Sequence, residues 1–201
     1  MLVMIRHLLW IGMLAAAFAQ DAGSGAMTTE ERGLLVDHMR RTHDALRASI
    51  RGLTPEQWNF KPDAATWSVA NVAEHLILTE GYFQKANRDL LATPARPRSA
   101  TPEADQRILH QIEDRSKKAK APEMLVPTGK WTTVAEADSE FAKRRASTIG
   151  YLQSTNDALR THFSGGNSKM DVYQYFLLVT AHTARHTRQI EELKSHPAFP
   201  K

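Results

Sequence analysis

The sequence predicts an all-α protein, a four-helix bundle with a long crossover between its second and third helices. Three observations lead there. Four stretches repeat apolar residues at helical spacing. Capping residues stand ahead of them. No alternating strand pattern, internal repeat or glycine-rich phosphate loop occurs. A chain of 201 residues is long enough for one domain with a sizeable core, and nothing in its length demands two.

The first residues read as an export signal. Arg6 and His7 precede an apolar run from Leu8 to Ala17, and Ala17-Phe18-Ala19 is a small-x-small cleavage site. The run is short for a bilayer span, which takes about 20 residues. Residues 1–19 are therefore expected to be a signal peptide, and the mature protein to be periplasmic or extracellular without stable membrane association. Residues 20–27 are expected to be a flexible lead-in, and the folded domain to occupy residues 28–196.

Thr28 and Glu31 form a capping-box pattern that opens the first helix. It should run to about Leu53, with Leu35, His38, Thr42, Ala45, Leu46, Ser49 and Ile50 inward. Pro55, just after Thr54, starts a short turn holding Trp58, and Pro62 ends it. The second helix begins near Ser68, a capping residue, and continues to about Leu91, beyond which Pro94, Pro97 and Pro102 forbid helix. Residues 92–132 hold five of the nine prolines and form the crossover. Within them, 103–120 is helix-compatible and expected to be peripheral and mostly solvent-facing. Thr133 and Glu136 cap the third helix, which carries Val134, Phe141, Thr148, Leu152 and Leu159 to about Phe163, where Gly165 and Gly166 stop it. The last helix spans about Ser168 to Ser195, and Pro197 closes the fold.

Composition narrows the chemistry. With no cysteine, the chain has no disulfide, thiolate ligand or cysteine nucleophile. The formal charge of +4 becomes +3 once Arg6 is removed with the signal. The basic runs Lys117, Lys118, Lys120 and Arg144, Arg145 lack interleaved aromatics, so they read as solvated helix faces and not as a nucleic-acid surface.

The last helix breaks its own pattern. Its inward stripe is Val172, Tyr175, Val179, His182, His186, Ile190 and Leu193, so two imidazoles one turn apart stand where apolar residues belong. His75 occupies a similar position in the second helix, on a face with Val72, Thr79, Tyr82 and Ala86. Each buried ring nitrogen left unpaired costs roughly 1–3 kcal/mol. Three such histidines can supply three nitrogens to one ion and leave a coordination position open. Core histidines satisfied by hydrogen bonds fit the same spacing.

The GLTPEQWNFKP turn, the segment WSVANVAEHL and the final AHTARHTRQIEEL together resemble the DinB-like (DinB/YfiT) superfamily over about residues 28–195. The resemblance implies an up-down-down-up bundle and a divalent metal, zinc or nickel. It implies that His75, His182 and His186 are its ligands, with Gln189 and Ile190 completing the HxxxHxxQI match. Some branches of that family carry out thiol transfer or isomerisation with low-molecular-weight thiols. Those chemistries are cytoplasmic, and the export signal here departs from them. No residue pattern supports DNA chemistry.

The functional expectation is an exported metal-dependent hydrolase or transferase acting on a small molecule, its substrate undisclosed. The alternative is a non-catalytic exported module that captures a small ligand or the ion itself. His38, Thr79, Tyr82 and Gln189 are expected to line the pocket, and a homodimer is left open. Glu74 adjoins a ligand but points about 100° away, which suits a solvated or supporting role better than a general base. Trp58, Trp67 and Trp131 read as packing anchors, and His43, His110, His162 and His196 as solvated.

Overall fold

A computed structural model describes residues 25–117, 119–165 and 169–201. The signal peptide expected at 1–19 and residues 20–24 of the lead-in lie outside the described residues. Those described form six α-helices and no strand: α1 Thr29–Ile50, α2 Pro55–Asn59, α3 Val69–Leu91, α4 Pro102–Glu113, α5 Val134–Ser154 and α6 Val172–Lys194. A single turn of 3-10 helix, Glu123–Leu125, interrupts the crossover.

Local chemistry sets the helix starts. The Thr28 and Thr133 side chains each accept from the backbone N–H three residues on, and Glu31 and Glu136 return the bond. Ser68 does the same for α3 with Asn71, and Asp171 for α6 with Gln174. Each box satisfies donors that the first turn leaves without partners. After α1 the chain leaves through Gly52, whose φ of +74° favours glycine.

The four long helices make a ring of packed neighbours. α1 and α3 each pack against both α5 and α6. Two apolar clusters fill the interior. One holds Leu35, Met39, Leu152, Leu159 and Leu177, and the other Leu46, Ile50, Trp58, Leu76, Phe141 and Ile190. Along the helices a buried polar layer falls between them: Thr42, Glu80, Arg145, Thr148 and Thr183.

Several expectations are corrected here. Arg145 is wholly buried, not solvated, and Ala45 is exposed, not inward. The third long helix stops at Ser154, well short of Phe163. Its last carbonyls are taken by Arg32, whose guanidinium donates to Leu152 O (2.5 Å) and Thr155 O (2.7 Å). The next turn brings Leu159 and Arg160 into the interior, where Arg160 donates to Asp105 Oδ2 (2.8 Å) and Asp171 Oδ2 (3.0 Å). That buried cluster places Asp171 as the cap of α6, so the last helix starts at Val172, later than Ser168. It also recruits α4, which is shorter than 103–120 and packs on α6 with Asp105 and Leu109 buried. Nor is residue 25–27 of the lead-in free, because Gly25 O accepts from Arg160 N–H (2.8 Å) and Met27 is buried in the core.

Candidate metal centre

His75 comes from the second turn of α3, and His182 and His186 from successive turns of α6, which packs on α3. Two contacts orient the rings. His75 Nδ1 donates to Leu125 O (2.8 Å) in the 3-10 turn, and His186 Nδ1 donates to Gln189 Oε1 (2.8 Å) one turn along the same helix. A carbonyl oxygen only accepts, so each Nδ1 carries the proton and each Nε2 is left with a bare lone pair.

Those lone pairs converge. His182 Nε2 lies 3.3 Å from His75 Nε2 and 3.1 Å from His186 Nε2. One proton on His182 can bridge only one of these contacts, which leaves the other as two nitrogens facing each other. A cation resolves the conflict. Three nitrogens bound at 2.0–2.1 Å in tetrahedral geometry stand roughly 3.3 Å apart, which is the spacing found here. The donor set fits a divalent ion. Among the described residues no carboxylate joins the group, which consists of His75, His182 and His186.

The protonation state suits ligation. Burial lowers the pKa of His75, against a smaller opposing effect of its bond to Leu125. Burial also drives His182 well below its ordinary value, helped by the neighbouring His186 and His75. His186 is pushed down to about 3, again first by burial and then by His75. All three are neutral imidazoles at neutral pH, the form that binds metal. Trp67 covers the group, its ring centroid 5.0 Å from that of His75 and 6.4 Å from that of His186.

A model of the DinB superfamily matches residues 38–190, a span that contains all three histidines. The chain belongs to the DinB superfamily. It is also similar to the uncharacterized protein YuaE of Bacillus subtilis (strain 168), with 25% identity over 147 residues that cover 72% of this chain and 88% of that one. No solved structure matches the chain.

Other expected site residues of this DinB-superfamily chain are placed less uniformly. Gln189 holds the His186 ring, and its Oε1 also accepts from Arg115 Nη1 (3.3 Å). Thr79 is buried, and its hydroxyl donates back to His75 O (2.7 Å). Tyr82 is 45% exposed and borders a different groove with Phe83 and Tyr175, so the expectation that it lines the histidine pocket is corrected. Two turns of helix separate it from His75, enough to carry it past the site. His38 is half-buried, its pKa lowered by burial and by Arg41 and raised in part by Glu113, which faces it from the end of α4. Among the described residues His38 does not belong to the convergent group of histidines.

Glu74 proves to be a loop anchor. It is 2% exposed and accepts from the backbone N–H groups of Thr128, Gly129 and Lys130, and from the Thr128 hydroxyl. His43, expected in solvent, stacks on Phe141 with a ring separation of 6.0 Å, and its Nε2 is buried. The Leu125 carbonyl was not readable from the sequence, since a backbone acceptor from a proline-rich crossover leaves no residue-type signal.

Proposed function

We propose that this protein holds one divalent cation, zinc or nickel, on His75, His182 and His186, and that it is an exported metal-dependent hydrolase or transferase of a small molecule. The observation that carries the reading is the spacing of the three Nε2 atoms, 3.3 and 3.1 Å about His182, with two of the rings oriented from behind. An ion bound there with an open position supplies Lewis acidity and lowers the pKa of a bound water. Leu125 O and Gln189 fix the tautomers of His75 and His186 and keep their Nε2 atoms bare, while Trp67 limits access of bulk water.

The up-down-down-up course is part of this reading, and pairs of contacts support it. Between α1 and α6 the partners rise together, from Glu31 with Tyr173 to Ser49 with Glu191. Between α3 and α5 they also rise together, from Ile77 with Arg144 to Gln84 with Thr148. Between α3 and α6 they run oppositely, from His75 with His182 to Phe83 with Tyr175. Export rests on the charged start, apolar run and Ala17-Phe18-Ala19. Among the described residues no helix is long and apolar enough to cross a membrane.

The test is metal content. Wild-type protein loaded with zinc or nickel and desalted should retain about one equivalent, and His75→Ala, His182→Ala and His186→Ala should each lose tight retention. His110→Ala, at an exposed position, should retain it. Equal metal in wild type and all three ligand variants would return the histidines to a packing role. Export is checked by the intact mass of envelope-fraction protein, which should begin at or near Gln20. Full-length chain in the cytosol would overturn it.

A second reading, a non-catalytic module that captures the ion or a small ligand, is favoured by one observation: among the described residues the convergent group consists of three histidines with no carboxylate in it. Turnover of ester, amide or thiol-transfer substrates above the free-metal background would decide against it.

A further inference from the structure

Two neighbouring residues of α3 hold the same stretch of the crossover by different chemistry. Glu74 accepts from the backbone N–H groups of Thr128, Gly129 and Lys130. His75 donates from Nδ1 to the carbonyl of Leu125 (2.8 Å), in the 3-10 turn Glu123–Leu125. That turn is closed only by Leu125 N–H to Pro122 O (2.9 Å) and Val126 N–H to Glu123 O (3.1 Å). A single turn with so few bonds opens readily unless something outside it holds on. It presents Met124 and Val126, 64% and 42% exposed, two of the four large apolar side chains exposed among the described residues.

The grip of Glu74 is permanent and that of His75 is conditional. An ionised carboxylate only accepts, so Glu74 serves its loop donors whatever the histidines do. A neutral imidazole holds one proton that either nitrogen can carry, and His75 serves Leu125 only while the proton is on Nδ1. Without an ion that placement is contested. His182 brings a single Nε2 to His75 Nε2 (3.3 Å) and to His186 Nε2 (3.1 Å), so one hydrogen bond at most forms between them. His182 Nδ1 is buried with no partner, so no position of its own proton satisfies both sides of that ring. One arrangement that bonds His75 to His182 moves the His75 proton to Nε2. Nδ1 then turns a lone pair on the Leu125 carbonyl, acceptor against acceptor, and the turn loses its hold. The ring stays neutral throughout. An ion shared by the three Nε2 atoms excludes a proton from each of them and leaves that arrangement unpopulated.

We propose that the turn Glu123–Leu125 is a metal-responsive strap, held by His75 when the three histidines share an ion and loosened when they do not, while residues 128–130 stay fixed by Glu74. The inference rests on the metal reading above and adds a conformational output to it. Display of Met124 and Val126 then follows occupancy of the histidine centre.

The test compares hydrogen exchange of chelator-stripped protein with that of protein loaded with one equivalent of zinc, with zinc content measured on the same samples. Zinc should slow exchange of the Leu125 and Val126 amides by about tenfold or more, and that of Thr128, Gly129 and Lys130 much less. Ring-nitrogen NMR should show His75 protonated on Nδ1 alone in the zinc form, with protonation on Nε2 populated once zinc is stripped. His75→Ala should leave the turn in fast exchange with or without zinc. His182→Ala removes the nitrogen that competes for the His75 proton, so its turn should exchange slowly and ignore zinc. Should either variant fail to fold, the two wild-type measurements decide. Retained zinc with unchanged exchange at Leu125 and Val126 would overturn the strap and leave the metal reading standing. Equal slowing at 125–126 and 128–130 would also overturn it, because that is general stabilisation. Loss of zinc from wild type on desalting would overturn both readings together.

Discussion

Arg145 and Glu80 form a doubly bonded ion pair inside the bundle, Nε to Oε1 at 3.1 Å and Nη2 to Oε2 at 3.0 Å, with 0% and 2% of their side chains exposed. The remaining donors of Arg145 reach Met39 O and Thr42 Oγ1 on α1 and Thr183 Oγ1 on α6, while Thr148 donates to Glu80. One guanidinium thus ties four helices together. Removing one partner strands the other as a buried charge. Arg145→Met is expected to cost about 3–5 kcal/mol, and adding Glu80→Leu should recover much of that loss. Urea unfolding of the single and double variants measures both. A single variant as stable as wild type would show that the pair contributes nothing net.

Gln189 touches no ion site directly but orients the His186 ring. Gln189→Leu should therefore weaken zinc or nickel affinity by about 10–100-fold without abolishing binding. Competition with a chromophoric chelator measures the change. Affinity equal to wild type would mean that the ring is held by packing alone.

Metal-stripped protein should lose stability in mild acid. His75, His182 and His186 have folded pKa values below the unfolded value, with His186 near 3. Between about pH 6.5 and pH 3 the unfolded chain binds protons on these rings that the folded protein does not. Stability is thus complete above the unfolded pKa and falls as pH drops through that window. Melting temperature measured from pH 7 to 4 should decline, and His186→Ala should flatten the decline. An unchanged slope in that variant would refute the assignment.

Glu74 should be dispensable for α3 and necessary for the loop it holds. Burial acts to raise its pKa, but the donors from Thr128, Gly129 and Lys130 outweigh burial and hold the carboxyl below its usual range. Glu74→Ala leaves those N–H groups without their acceptor, at a cost of about 1–3 kcal/mol. Hydrogen exchange at residues 128–130 should accelerate more than at the centre of α3. Uniform acceleration would point to global destabilisation instead.

Local chemistry settled the helical class and most helix starts, because a capping box acts over three residues and an apolar stripe over one helix face. Thr28, Ser68 and Thr133 could each be read one element at a time. So could the inward positions of His75, His182 and His186, since helical periodicity alone turns them towards the interior. The ends proved harder. Nothing near Ser154 in the chain says that Arg32, more than a hundred positions earlier, takes the last carbonyls of α5. Only the tertiary structure decided that Arg145 and Arg160 are interior residues, that α4 belongs to the packed body, and that the Leu125 carbonyl orients His75. The physical reason is common to all of them. A buried charge or ring nitrogen is defined by a partner brought from a distant part of the chain, and a residue type carries no record of that partner until the helices have packed.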